Sequence, residues 1–466
     1  MPVDDPLSRP TVAIIGAGAS GALTALHILS NPNGPRIFLI EKRQGFGVGV
    51  AYSTGNANHL LNVRAGNMSA FPDQPAHFTD WLRDRDPDLL AAGFVPRQTY
   101  GAYLSGLLRA AAMSDRAAGR LMLVNDEATS LITGEGRPRL QLAVGRELLI
   151  DALVLATGNG APEPPYVPDG GLGGSPRYIG DPWAADAFRH VAPKDPVLLL
   201  GTGLTMVDVA LTLKSIGHEG QKIAMSRRGL LPRRHAAPVA VPPDPLPPLP
   251  PVLSAALRIV RSHVKRYHAA QGDGADWRAV IDALRPVTRG FWLALDTPTR
   301  RRFLRHLRPW WDVHRHRLAP MVADRLAAML ESGEIALKAG RLRSFALEGT
   351  GARQQVAVQW RPRREMADAV LHVAHVVNCT GPGGDLSRNG PPIIRSLLAA
   401  GLARPDALGL GLDLDGDGRL IAADGCAGRF YALGPASRGA FWEVTAIPDI
   451  RVQAQQVAAA ICRDLG

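Results

Sequence analysis

Residues 11–22 read Thr-Val-Ala-Ile-Ile-Gly-Ala-Gly-Ala-Ser-Gly-Ala, a β-branched and apolar run that breaks at once into Gly16, Gly18 and Gly21. Apolar residues at helical spacing follow to Leu29, so the segment reads as strand, tight turn and helix. A second strand is expected over Arg36 to Ile40, ending in Glu41, which falls 20 positions after Gly21. That is the spacing of a dinucleotide-binding βαβ unit. The first glycine allows the turn, the second admits a pyrophosphate to the backbone, and the third lets helix and strand pack closely. The helix N-terminus then offers unpaired N–H groups and a positive dipole end to the phosphates. Glu41 can accept from both ribose hydroxyls and would repel a 2′-phosphate, so this site suits FAD or NAD. The expected contacts are Gly16, Gly18, Ser20, Gly21, Glu41 and Lys42.

The pattern begins again at Pro196 to Leu200, a strand leading into Gly201-Thr202-Gly203-Leu204-Thr205-Met206 and a helical run to Leu213. Met206 stands where the first unit has its third glycine. The next strand, Lys222 to Met225, ends in Ser226-Arg227-Arg228 at the place of Glu41, and guanidinium groups there suit the 2′-phosphate of NADP. The alternative is a solvated basic turn. Gly201, Gly203, Thr205, Ser226, Arg227 and Arg228 are the expected contacts. Further strands are expected over Leu121–Asn125, Ala128–Ile132, Leu140–Val144 and Ala152–Ala156, the last running into Thr157-Gly158. Ile335–Ala339, Ser344–Glu348, Val356–Trp360 and His375–Asn378 mirror them, and His375–Asn378 runs into Cys379-Thr380-Gly381. The fold class is therefore α/β, with two Rossmann-like units. Residues 231–330 are too many for a loop. Ala237 to Pro251 is proline-dominated and reads as an extended linker, while Ser254–His268, Trp277–Leu284 and Thr299–Leu330 read as a helical insertion or lid. A last helix is expected over Val452–Ile461.

A chain of 466 residues implies two or three domains, and 46% hydrophobic with 20% charged residues excludes a disordered chain. The net charge of +11 fits nucleic acid, an anionic surface or anionic small molecules, and no zinc spacing or RNA-binding signature supports the first. The run Arg300, Arg301, Arg302, Arg305 and Arg308 reads as a solvated helical face. Cys379, Cys426 and Cys462 form no CxxC pair, so a reducing compartment and no dithiol chemistry are expected. Met1 to Pro10 lacks the basic start and apolar core of an export signal, and no apolar run is long enough to span a bilayer. A soluble, cytoplasmic protein follows. Asp413-x-Asp415-x-Asp417-Gly418 with Asp424 imitates a calcium loop but lacks flanking helices, so a β-hairpin turn is expected. Asp312, His314 and His316 fall on different faces of a helix, so no metal site is expected there either.

Other stretches carry a resemblance: Gly47-Val48-Gly49-Val50-Ala51-Tyr52, His59-Leu60-Leu61-Asn62-Val63, Met68-Ser69-Ala70-Phe71, and Phe94-Val95-Pro96-Arg97 with Tyr100-Gly101. Together with Trp311 to Arg317, Gly434-Pro435 and Trp442-Glu443, they resemble the FAD/NAD(P)-binding protein family of the NAD-binding-9 type. More distantly, the paired fingerprints look like flavin-containing and N-hydroxylating monooxygenases. The resemblance implies a split FAD domain (1–165 and 376–466) enclosing an NAD(P) domain (166–375) that carries the insertion. It implies FAD and NADPH as cofactors and places Thr157, Gly158, Gly381 and Gly434 beside them. His59, Asn62, Arg64 and Asn67 are expected near the flavin, with Asn62, Trp442 and Glu443 as catalytic candidates; packing or a structural hydrogen bond is the alternative role for each. Related flavoproteins have a late Gly-Asp where this chain has Gly434-Pro435. The activity implied is NADPH-dependent monooxygenation, with O₂, of a small nitrogen-containing molecule such as urate or an amine. Two alternatives stand beside it. One is an NAD(P)H-dependent flavin reductase or oxidase; the other is a noncatalytic redox-sensing flavoprotein with Pro245–Pro251 as a PxxP-like ligand.

Overall fold

Thr11–Ile15 is buried along its whole length, as a strand covered on both faces must be. In the computed structural model, which describes residues 9–114, 119–160, 162–165, 167, 171–236, 245–272, 276–383 and 385–466, it lies between Arg36–Glu41 and Ala152–Leu155, parallel to both. Leu121–Asn125 extends this sheet beyond Arg36–Glu41. On the other side Ala427–Ala432 runs parallel to Ala152–Leu155 and pairs antiparallel with Arg419–Ile421, so the last part of the chain completes a sheet begun by the first. Helix Ala19–Leu29 covers one face together with the C-terminal helix Ile447–Leu465. That helix starts earlier than its apolar spacing suggests, because Pro448 sits in its first turn, where no N–H partner is needed. The other face packs on helix Pro392–Ala399 and a small antiparallel sheet of Ala128–Ile132, Arg139–Leu142 and Glu147–Leu149.

The second sheet is seven-stranded, and its parallel part has Val197–Leu200 between Lys222–Ser226 and His375–Asn378. The two strands expected over 335–348 are one. Ile335–Ala339 runs parallel to Lys222–Ser226, and Gly340–Glu348 continues antiparallel to Gln355–Pro362 with a bulge between Leu342 and Ser344. Gly340 marks the change of partner: a Cβ there would stand 2.4 Å from the Arg361 carbonyl oxygen and 2.5 Å from the Trp360 ring. The halves are therefore alike in their βαβ cores and different in their antiparallel strands. His375–Asn378, at the border expected near 375, pairs with Val197–Leu200 in the second sheet. Residue 166, the other expected border, and residues 237–244 of the proline-rich stretch lie outside the described residues.

The insertion contains helices Leu253–Gln271, Trp277–Ala283, Arg285–Ala294, Thr297–His306, Arg308–Arg315 and Pro320–Glu331. Pro309 and Pro320 divide the long helical stretch expected over Thr299–Leu330, each standing in a first turn. Pro320–Glu331 is the crossover helix of the second unit, burying Val322, Leu326 and Met329 beneath its sheet. The Asp413–Asp424 stretch folds back through an antiparallel Leu414–Leu420 bridge, and Arg419 binds the carboxylates of Asp415 and Asp417 at 3.2 and 2.8 Å. Among the described residues no helix is long and apolar enough to cross a membrane.

Candidate functional site

The first glycine turn tolerates no side chain at two of its positions. Gly16 has φ +97°, and a Cβ there would stand 2.4 Å from the Ala156 carbonyl oxygen; one on Gly21 would stand 1.9 Å from the Gly16 oxygen. Gly18, extended, begins helix Ala19–Leu29 without a side-chain cap, which leaves that helix N-terminus open to a ligand. Glu41 is almost fully buried and braces the turn, accepting from the Ala17 amide at 2.8 Å and the Arg43 amide at 3.1 Å. Lys42 points away and pairs with Glu127 at 3.0 Å on the surface. Gly158 follows the neighbouring strand at φ +71°. Gly434, at φ +67°, lays the C-terminal segment on the helix start, its Cβ position 2.6 Å from Ser20 Oγ.

The second turn repeats this build. Gly201 has φ +112° and a Cβ there would stand 2.4 Å from the Cys379 carbonyl oxygen, the same relation that Gly16 bears to Ala156. A Cβ on Gly203 would meet nothing within 4 Å, so its outer side is open. Met206, in place of the third glycine, is fully buried in the core beneath the second sheet. Thr202 Oγ1 gives its one proton to the Leu230 carbonyl at 2.6 Å, so the Ser226 hydroxyl donates to Thr202 Oγ1 at 2.9 Å and accepts from the Gly229 amide at 3.0 Å. Arg227 is exposed and Arg228 half-buried, and among the described residues neither has a hydrogen-bond or ion-pair partner.

This turn opens on a cavity of about 770 Å³, within the range of small-molecule sites. Asn62, Arg64 and Asn67 come to it from the first unit; Gly201, Gly203, Thr205, Ser226, Arg227 and Arg228 from the second; Thr380 and Gly381 from the second sheet's return strand. The insertion adds Arg285, Arg308, Asp312 and Arg315, and the C-terminal part adds Arg438, Glu443 and Asp449.

Residues 13–160 match the family described as FAD-NAD(P)-binding. This part of the chain is similar to that family. No curated protein matches the chain in sequence. Among solved structures it is similar to the reduced form of ornithine hydroxylase from Pseudomonas aeruginosa, with 15% identity and a TM-score of 0.64 over 98% of this chain and 100% of that one. Kutzneria sp. 744 ornithine N-hydroxylase with reduced FAD, NADP⁺ and L-ornithine has 14% identity and a TM-score of 0.65, over 98% of this chain and 100% of that one. L-Lysine 6-monooxygenase from Pseudomonas syringae has 17% identity and a TM-score of 0.63, over 98% and 99%. The fold is thus the paired α/β fold of those flavin enzymes from end to end.

Within this fold the cavity wall is mostly paired charge. Arg285 binds Asp449 at 3.0 Å, Arg308 binds Asp312 at 3.3 Å, Arg315 binds Glu443 at 3.1 Å, and Arg317 binds Asp282. Trp311 Nε1 also donates to Glu443, at 2.9 Å. Burial pushes the Asp449 carboxyl up, against the pull of Arg285. His235 Nε2 donates to the Asn62 carbonyl at 2.9 Å, and burial with nearby Arg317 pushes its pKa down to about 4. Burial brings His316 to about 4 as well. Both rings are neutral at neutral pH.

Of the expected catalytic residues, Asn62 and Glu443 line the cavity and Trp442 does not. Trp442 is 4% exposed, stacks on Trp292 with ring centroids 4.6 Å apart, and holds φ +56°, a conformation rare for a large side chain. His59 does not line the cavity either. Its Nε2 donates to the Asp208 carbonyl at 3.0 Å and its Nδ1 accepts from the Thr54 hydroxyl at 2.8 Å, so the ring ties the first unit to helix Leu204–Ser215 of the second. Beside it Arg97 and Asp208 form a largely buried ion pair at 2.8 Å. Asp312, His316 and Arg308, read from sequence as helix surface, face the cavity because helix Arg308–Arg315 forms its wall. Arg285, Arg438 and Asp449 had no signal of their own, since each lies in a segment that meets the others only after folding; Arg315 falls within the Trp311–Arg317 stretch that carried the resemblance.

Proposed function

We propose that the chain is an NADPH-dependent flavin monooxygenase that oxidises a small nitrogen-containing molecule. The observation that carries this reading is the pair of glycine turns of one build, the first braced by Glu41 and the second flanked by unpaired Arg227 and Arg228. Bound FAD would supply the redox chemistry, taking a hydride from NADPH and using O₂, with one oxygen atom going to the substrate and the other to water. Gly16, Gly18 and Gly21 fit FAD because a side chain at Gly16 or Gly21 would close the turn on itself. Arg228 and Arg227 hold the 2′-phosphate of NADPH, and the open side of Gly203 admits its pyrophosphate to the helix N-terminus. Paired charges on the insertion and C-terminal part exclude bulk water from the cavity. Neutral His235 keeps the Asn62 backbone in place by its hydrogen bond.

Two further observations support oxygen as electron acceptor and an amine as substrate. Cys379 is buried with its thiol pKa pushed up by burial, Cys426 is exposed and Cys462 half-buried, and all three are unpaired, so no dithiol relay is assembled among them. Solved neighbours are named as hydroxylases or monooxygenases of ornithine, lysine and cadaverine, which favours an amine or amino acid over urate. The test is aerobic NADPH consumption by flavin-loaded protein against amines, amino acids and purines, with product mass and hydrogen peroxide measured. Stoichiometric peroxide with every candidate would replace the monooxygenase with an oxidase.

A further inference from the structure

The cavity wall carries eight arginines and four acids, Asp282, Asp312, Glu443 and Asp449. Each acid is already taken, by Arg317, Arg308, Arg315 and Arg285 in turn. Arg64 lies over the Phe94 ring and donates to the Ala236 carbonyl, and Arg227 and Arg228 stand at the second strand's end. Arg438 remains. Among the described residues it makes no hydrogen bond and no ion pair, and its Nε is buried without a partner.

Its position is nonetheless fixed. The guanidinium lies 4.9 Å over the Trp442 ring, which is itself stacked on Trp292 and held at φ +56°. Stacking engages the face of the guanidinium and leaves its N–H edges free, the arrangement that binds a planar carboxylate by two parallel hydrogen bonds. Arg438 is half-buried with its Nε fully out of water, and a cation so placed without a counter-ion is costly, so this one calls for an anion from outside the chain. Burial first, and then neighbouring Arg308, lower its pKa to about 10 against the pull of Asp312 and Glu443. The strained Trp442 backbone has a reason in the same geometry, because it is the platform that aims the fork.

We propose that the substrate carries a carboxylate and that Arg438 is its anchor. This rests on the reading that the cavity receives the substrate, and it excludes simple diamines as the preferred class. An amino acid or other small carboxylate fits, whereas its decarboxylated counterpart leaves the guanidinium unpaired and adds positive charge to an arginine-rich wall.

The experiment measures dissociation constants by calorimetry on flavin-loaded protein saturated with NADP⁺, so that the coenzyme arginines are occupied. The probes are matched pairs: L-ornithine with putrescine, L-lysine with cadaverine, and benzoate with benzamide. The expected result is that at least one carboxylate binds about tenfold or more tighter than its partner, and that Arg438→Gln removes this preference. Arg438→Lys, which keeps the charge without the fork, should retain part of it and carries the test if Arg438→Gln does not fold. Flavin content and NADP⁺ affinity should stay unchanged. Equal binding within every pair, or no carboxylate bound at millimolar concentration, overturns the proposal. Loss of NADP⁺ affinity or of flavin in Arg438→Lys overturns it too, making Arg438 a cofactor contact. If carboxylates bind through Arg438 but NADPH is never oxidised, the anchor stands and the monooxygenase reading fails.

Discussion

Replacing Arg228 with Ala should weaken NADP⁺ binding far more than replacing Arg227, although the two are adjacent and equally charged. Neither has a partner among the described residues, so each is free to donate to a 2′-phosphate. A charge-assisted hydrogen bond contributes about 1.5–3 kcal/mol, or roughly ten- to a hundredfold, where the pair is shielded from water. Arg228 is half-buried in the cavity wall and should show that full effect. Arg227 is exposed, where an ion pair contributes about 0.2–1 kcal/mol, so its loss should cost only about two- to fivefold and vanish at high salt. Ser226 should contribute little, because its hydroxyl proton is already given to Thr202 Oγ1, whose own proton goes to the Leu230 carbonyl. Calorimetric titration with NADP⁺ and NAD⁺ at low and high salt separates these terms. Weakening of NAD⁺ and NADP⁺ by the same factor would refute the reasoning, because the arginines would then serve the turn and not the phosphate.

Gly16→Ala should yield flavin-free protein, since φ +97° and the 2.4 Å approach to Ala156 both forbid a Cβ, whereas Gly201→Ala should keep its flavin and lose NADP⁺ affinity; flavin absorbance per chain distinguishes them. Asp208→Ala should lower unfolding free energy by about 3–5 kcal/mol in urea titrations by stranding Arg97 in its buried site, and a change below 1 kcal/mol, roughly the worth of an exposed pair, would count against a buried bridge between the units. His235 and His316 have pKa values near 4 in the fold against 6.5 for an unperturbed ring, so the unfolded chain takes up protons first as pH falls. Their contribution is complete above about pH 6.5 and lost toward pH 4, so the Tm gap between wild type and His235→Gln/His316→Gln should narrow over that window; a constant gap contradicts it. Calcium or a chelator should leave Tm unchanged, because Arg419 already neutralises Asp415 and Asp417, and a calcium-dependent rise would show a competing ion site.

Both βαβ units were legible because their signals are local: glycines at fixed offsets, apolar strands, and one charged residue at each strand end. The relation of Gly16 to Ala156 was not, since it depends on a strand more than a hundred residues away, yet the sequence repeat implied that Gly201 would have an equivalent, and Cys379 is it. His59 and Trp442 stand outside the cavity for a common reason. Each sits in a stretch that carried the resemblance, and a stretch near a site contains residues that hold the site as well as residues that face it. Arg301, Arg302 and Arg305 are exposed, as the reading of a solvated face expects, while Arg300 and Arg308 are half-buried, because periodicity gives a helix its faces without saying what those faces meet. Arg300 and Arg301 donate to backbone carbonyls, and Arg308 faces the cavity, although all three share one basic run.

The insertion belongs by sequence to the second unit but is fastened to the first. Trp292 of helix Arg285–Ala294 donates from Nε1 to the Gly439 carbonyl at 2.8 Å and stacks on Trp442, both in the C-terminal segment that completes the first sheet. Arg285 and Arg315 reach the same segment through Asp449 and Glu443. Among the described helices of the insertion, only the crossover helix Pro320–Glu331 buries itself under the second sheet. Any rotation of the second unit against the first would therefore leave the helices lining the substrate side of the cavity with the first unit, provided these contacts hold. The proposed coenzyme contacts Arg227 and Arg228 and the proposed substrate anchor Arg438 then lie on opposite sides of that division. Changes in the helices facing Arg438 should alter which substrate is taken without altering which coenzyme is used.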